Sequence, residues 1–140
     1  MKIREIIGES TIFTESIGGR NSKKIYDLLI NSIGCGPFDG GCVVIAEAIK
    51  IKYGGDIVVL VGHAQSNTNE VAQHACVRLG KLLVDYGGAY EQDEFVKIFE
   101  RNELSHAGGH ITDIRPIRLG DLPDAPRDSN LSEKISGLIK

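Results

Sequence analysis

Hydrophobic positions recur at helical spacing in four stretches and at strand spacing in four others. Over residues 22–33, Ile25, Leu28, Leu29, Ser32 and Ile33 fall at i, i+3, i+4, i+7 and i+8, one stripe of a helix. Asn21-Ser22 offers a cap, and Gly34 offers a stop. Residues 42–52 are apolar nearly all the way round, interrupted only by Glu47, Lys50 and Lys52. Such a helix belongs in the centre of a core. Its β-branched residues give modest helix propensity, so burial has to hold it. Asp39 stands near its start as an acidic residue suited to the helix dipole, and Gly54-Gly55 ends it.

Residues 56–62 then read as a strand buried on both faces. Two apolar runs, 73–79 and 82–86, flank Gly80-Lys81 and predict an antiparallel hairpin, with Gly87-Gly88 as a break. Residues 91–102 form an amphipathic helix with Phe95, Ile98 and Phe99 facing in. Residues 110–117 alternate as a further strand, and Pro116 marks its end or an edge position. Residues 132–139 predict a short terminal helix. Residues 64–70, 103–109 and 118–130 read as loops. The first 20 residues are weakly patterned: Ile3, Ile6 and Ile7 suit a short helix or an extended arm, and residues 11–14 alternate. The expected fold is α+β, one domain over residues 1–140. A central buried cysteine-bearing helix packs on a mainly antiparallel sheet of about four strands.

Composition narrows the function classes. An apolar content of 41% and a charged content of 25% suit a globular domain. A net charge of −3 supplies no basic field for nucleic acid. No apolar run approaches the roughly 20 residues of a membrane helix, and the start of the chain lacks a signal-peptide core. A cytoplasmic location is the expectation. Three cysteines, Cys35, Cys42 and Cys76, without a C-x-x-C pair argue against a disulfide framework or a zinc knuckle. No cofactor or metal is expected.

The chemistry gathers at residues 34–42, Gly-Cys-Gly-Pro-Phe-Asp-Gly-Gly-Cys, which run straight into the central helix. A thiol in the first turn of a helix feels the positive end of the dipole, which favours the thiolate. Free backbone N–H groups at the same place suit an oxyanion. Read alone, Cys42 is equally a small residue entering a core helix. Acyl transfer at a thiol also needs an imidazole and a group that orients it. His74 opens the second strand, and Asp85 lies near the end of the third. With the turn near Gly80-Lys81, positions that sum to about 160 face each other, which puts Asp85 within a residue or two of His74. A slip of one residue moves a side chain to the other face.

A cysteine opening a buried helix, then a histidine on one strand, then an aspartate on the next, resembles the papain-like superfamily in its broad sense. That group includes transglutaminase-like proteins, arylamine N-acetyltransferase-like enzymes and papain-fold deamidases. The matching pieces are residues 39–42, 73–77 and 83–88. The resemblance implies a Cys-His-Asp triad, with Cys42 the nucleophile, His74 the base and acid, and Asp85 the orienting carboxylate. It implies hydrolysis or acyl transfer on a peptide, a protein side-chain amide such as glutamine, or a small amide. Papain-type peptidases place a glutamine a few residues before the cysteine to complete the oxyanion hole, and none precedes Cys42. Backbone N–H groups at Gly41 and Cys42, with Asn31, are the candidates in its place, and Tyr86 is a candidate substrate contact. That departure favours narrow acyl transfer or amide hydrolysis over endopeptidase action.

Other readings stay open on the sequence. Cys76 and Cys35 are rival thiols, Cys35 also as a redox partner of Cys42. His63 is a substitute base. His106 and His110 have metal-pair spacing, but two intervening glycines make a shared helical face unfavourable. The chain also fits a non-enzymatic interaction or regulatory module on a degenerate papain-like scaffold, such as a phage or mobile-element accessory protein.

Overall fold

The computed structural model describes residues 16–63, 69–105 and 108–140. Its elements are α1 (Ser22–Ile33), α2 (Cys42–Tyr53), β1 (Asp56–His63), β2 (Val71–Leu79), β3 (Leu82–Asp85), β4 (Gly88–Glu91), α3 (Gln92–Phe99), β5 (His110–Pro116) and α4 (Ser129–Ser136). A π-helical turn, Glu100–Leu104, continues α3. The fold is α+β. Five strands form one sheet in the order β4-β3-β2-β1-β5, and every neighbouring pair is antiparallel. The readings for residues 1–15 and 64–68, and for His106, lie outside the described residues.

The fifth strand corrects the expectation of about four. Gly87-Gly88 does not end the hairpin. The chain folds back at Tyr86-Gly87, and Asp85 pairs with Gly88, Val84 with Ala89 and Leu83 with Tyr90. Gly88 takes φ 132, a conformation that glycine adopts at little cost. The four residues of β4 are too few to show alternation beside two glycines. The other corrections are smaller. α3 stops at Phe99 and gives way to the π-helical turn, which takes in Glu103 and Leu104 from the expected loop. α4 starts three residues early because Asp128 caps it, accepting a hydrogen bond from the Leu131 N–H at 3.0 Å.

The sheet carries a separate apolar layer on each face. Val59 and Val61 of β1 and Ala75 and Val77 of β2 pack with Val43, Val44, Ile45 and Ile49 of α2. Ile25 and Leu29 of α1 and Ile135 of α4 complete that layer. The alternate residues Val58, Leu60, Cys76 and Leu83 point to the other face and meet Phe95, Phe99 and Leu104. This is why β1 has no polar face: both of its faces are core. α2 is the most enclosed helix, with Cys42 through Ala46 plus Ala48 and Ile49 buried. Burial of this kind stabilises by roughly 25 cal/mol per Å² of apolar surface, enough to offset its modest propensity. Towards its far end Lys50, Ile51 and Lys52 are exposed. Pro116 ends β5, which is an edge strand of the sheet, where its missing N–H costs no ladder bond.

Candidate active site

The loop before α2 is built so that Cys42 arrives at a fixed place. Gly34 ends α1 in the left-handed region at φ 70, and its N–H donates to the Ile30 carbonyl. The Gly36 carbonyl then accepts from the N–H groups of Asp39 and Gly41, at 3.1 and 2.8 Å. Gly40 has φ 109, and a Cβ there would lie 2.9 Å from the Cys35 sulfur. A Cβ on Gly41 would lie 2.7 Å from the Gly36 carbonyl oxygen. Both glycines are therefore required by space, and Gly40 by conformation as well. α2 begins at Cys42 with no side-chain cap, so Asp39 does not serve as one; it is exposed and lines the cleft in front of Cys42.

His74 and Asp85 meet because of the hairpin register. β2 and β3 pair Val77 with Val84, Arg78 with Leu83 and Leu79 with Leu82. Continued to the end of β3, that register sets Asp85 across from Cys76, on the same face as His74 and diagonal to it. A register one residue different would turn Asp85 to the opposite face. In the observed arrangement His74 Nε2 and Asp85 Oδ2 are 2.9 Å apart, with both residues buried. The other carboxylate oxygen, Oδ1, accepts the Gly87 N–H at 2.8 Å. The carboxylate is held at both oxygens and fixes the ring.

With Nε2 committed to Asp85, Nδ1 is the ring nitrogen left for Cys42, which lies close enough to the imidazole for each to shift the other's titration. β3 pairs with β2 only over residues 77–79, which leaves the β2 edge open at Ala75. Cys42 lies near that edge, where the N–H groups of Ala75 and of Cys42 itself favour its thiolate. Burial pushes the Cys42 pKa up. The hydrogen bond and charge of His74, with the two N–H groups, more than offset this, and the thiol titrates below its ordinary value. Burial pulls His74 down, but Asp85 and Cys42 together lift it from 6.5 to about 9. A free imidazole titrates well below a free thiol. Here the two move toward each other, the direction that favours an imidazolium–thiolate pair.

The imidazole is also clamped between two aromatic rings. Phe38 stacks on one face, with centroids 5.3 Å apart and 16° between the planes; Phe99 stacks on the other at 4.9 Å and 25°. Phe99 is buried, but Phe38 comes from the glycine loop and is 40% exposed. The stack fixes the ring plane, keeps water off it and places two π-faces against a cation.

A cleft of about 340 Å³ opens in front of the pair, lined by Phe38, Asp39, Gly40, Cys42, Gln73, His74, Leu122, Asp124 and Ala125. Gln73 sits at a bulge: β1 pairs Leu60 with His74 and then Val61 with Ala72, so Gln73 is the extra residue. Its Nε2 donates to the Gly62 carbonyl at 3.1 Å and makes a longer contact of 3.5 Å to the Val71 carbonyl, which anchors the amide. Leu122 has φ 51, the sole positive φ outside glycine among the described residues. Its loop is pinned by a bidentate ion pair, Arg115 to Asp121 at 2.7 and 2.9 Å, with the Arg118 N–H on the same carboxylate. Arg115 chiefly, with that N–H, holds the Asp121 carboxyl at about 2.

The three residues expected to carry the chemistry, Cys42, His74 and Asp85, are thus brought together. The expected helpers are not. The Gly41 N–H is committed to Gly36, so the amide donors at the start of α2 begin at Cys42. Asn31 is exposed near the end of α1, and Tyr86 directs its hydroxyl to the Ser22 carbonyl at 2.9 Å. Neither lines the cleft. Sequence reasoning missed Phe38, Phe99, Gln73 and the 122–125 wall. A phenylalanine inside a glycine turn and a glutamine beside the histidine were the signals for Phe38 and Gln73; nothing local marks the wall.

The rival residues lie elsewhere. Cys76 is fully buried in the layer with Phe95 and Phe99, and burial with the Asp85 charge pushes its thiol well up. Cys35 is a free thiol that donates to the Ile33 carbonyl at 3.4 Å. His63 ends β1 and does not line the cleft. His110 is exposed, with Nδ1 3.6 Å from the Glu100 carboxylate. Among the described residues no cluster of three or more His, Cys, Asp or Glu suits a metal ion, and no helix is long and apolar enough to cross a membrane.

Comparison with protein-family models, with curated proteins and with solved structures returns no match to the chain.

Proposed function

We propose that the chain is a small cysteine-dependent hydrolase or acyltransferase acting on an amide, through a Cys42-His74-Asp85 triad in a papain-like or transglutaminase-like arrangement. The observation that carries the reading is the convergence of thiol, imidazole and buried carboxylate, with His74 Nε2 2.9 Å from Asp85 Oδ2, the thiol lowered and the imidazole raised. A degenerate binding scaffold has no need to keep all three joined under an aromatic clamp.

The chemistry follows from that convergence. The Cys42 thiolate attacks the carbonyl carbon, and the C=O π pair moves onto oxygen. Collapse of the tetrahedral intermediate breaks the C–N bond, and the amine leaves with the proton that Nδ1 of His74 donates. The neutral ring then takes a proton from water, or from an acceptor amine, as that group attacks the thioester. Cys42 leaves again as the thiolate. Throughout, Asp85 keeps Nε2–H in place and stabilises the imidazolium. The N–H groups at the start of α2, with the Gln73 amide trading its long 3.5 Å contact to the Val71 carbonyl for the substrate oxygen, stand in for the absent upstream glutamine as oxyanion donors.

A 4-nitrophenyl ester tests this directly. The wild type should release a burst of nitrophenolate equivalent to the enzyme, with one acyl group on Cys42 by mass spectrometry. Cys42→Ala should show neither. An acyl group on Cys35 instead, or no burst from the wild type, would refute the assignment.

A further inference from the structure

A second cleft of about 320 Å³ lies behind Phe38, on the α3 side of the sheet. Tyr90, Phe95, Ile98 and Phe99 give it an apolar lining, and the π-helical turn adds Arg101, Asn102 and Glu103 along it. Two of its walls belong to the proposed chemistry: Asp85 is the triad carboxylate, and Phe99 is one of the rings clamping His74. Phe38 lines both this cleft and the one that holds Cys42, so the two adjoin at that exposed aromatic ring. The volume is at the lower end of small-ligand sites, room for one ring-sized group.

Resting on the triad reading, we infer that this cleft is the specificity subsite of the reaction. It receives an aromatic or bulky apolar substituent that lies a few bonds from the carbonyl attacked by Cys42. The occupant belongs to the substrate because the cleft shares a wall with the nucleophile's cleft and because its apolar surface is concave and adjoins the buried triad. Aromatic walls favour a ring that stacks or meets them edge-on. The substrate class is therefore an N-acyl or peptide amide with a phenyl-like or branched aliphatic group. Ile98 is the residue to alter, because it is half-buried, lines the cleft and takes no part in the triad.

The test compares 2-chloroacetamide with N-benzyl-2-chloroacetamide as alkylating agents of Cys42, each rate divided by its rate with glutathione. The proposal expects the benzyl reagent to be favoured at Cys42 by roughly tenfold or more, the effect of burying a ring-sized apolar group. Ile98→Lys should abolish that preference while leaving the 2-chloroacetamide rate within about twofold. Ile98→Ala should reduce it partway, and a thermal melt of each variant checks that the fold is kept. Fast labelling by 2-chloroacetamide with no benzyl preference, or a preference that survives Ile98→Lys, overturns the subsite alone. If 2-chloroacetamide itself labels Cys42 no faster than glutathione at neutral pH, the triad reading falls and the subsite with it.

Discussion

Cys42 and His74 each hold the other's proton balance, so a change at either is read at its partner. Cys42 supports the raised pKa of His74, and Cys42→Ala should lower it from about 9, measured by NMR titration of the ring. Asp85→Asn removes a larger support. It should lower the imidazole further, return the thiol toward its ordinary value and cut acylation by orders of magnitude, by analogy with the loss of an orienting carboxylate in other triads. Gln73 separates two kinds of chemistry at one thiol. Acylation passes through an oxyanion and alkylation by a haloacetamide does not. Gln73→Ala should therefore slow nitrophenyl-ester acylation by about 10²–10³-fold while leaving the alkylation rate of Cys42 nearly unchanged. Equal losses in both assays would place Gln73 in the support of the thiolate instead.

The elements deliver these residues by means that were partly legible in the sequence. The apolar run after Cys42 showed a buried helix and its start, because seven of the residues from 42 to 49 had to find a core. The hairpin showed in two apolar runs across Gly80-Lys81, and with it the neighbourhood of His74 and Asp85. Which face Asp85 takes was not legible, since one residue of register decides it and sequence spacing carries that much uncertainty. β4 was hidden by two glycines, and the 122–125 wall reaches the cleft only through tertiary contacts, above all the Arg115–Asp121 pair. The cap of α4 was legible in principle, as an aspartate before a helical stretch. Asp128→Ala should lower stability by about 1 kcal/mol, measured by chemical denaturation, and leave acylation untouched. A loss of acylation there would show that α4 supports the site through α2, on which the Ser132 hydroxyl donates to the Val44 carbonyl at 2.9 Å.

At the scale of the molecule, the sheet separates two apolar layers, and the candidate site lies where β3 ends and both layers reach the edge of β2. Cys42 arrives from the α2 layer, the aromatic clamp comes partly from the α3 layer, and His74 stands between them. Such a placement ties stability to the site's protonation. His74 binds its proton more tightly in the folded chain than in the unfolded one. Its contribution is present in full below about pH 6.5 and fades as the pH rises through about 9. The Tm of the wild type should therefore fall across that interval more steeply than that of His74→Gln. The most direct measurement is the rate of Cys42 alkylation by 2-chloroacetamide as a function of pH, read by peptide mass spectrometry so that Cys35 and Cys76 serve as internal controls. The Cys42 rate should rise through an apparent pKa below the roughly 8.5 of a free thiol, and His74→Ala should move that midpoint upward. A Cys42 midpoint at or above that of a free thiol, unmoved by His74→Ala, would contradict the triad reading.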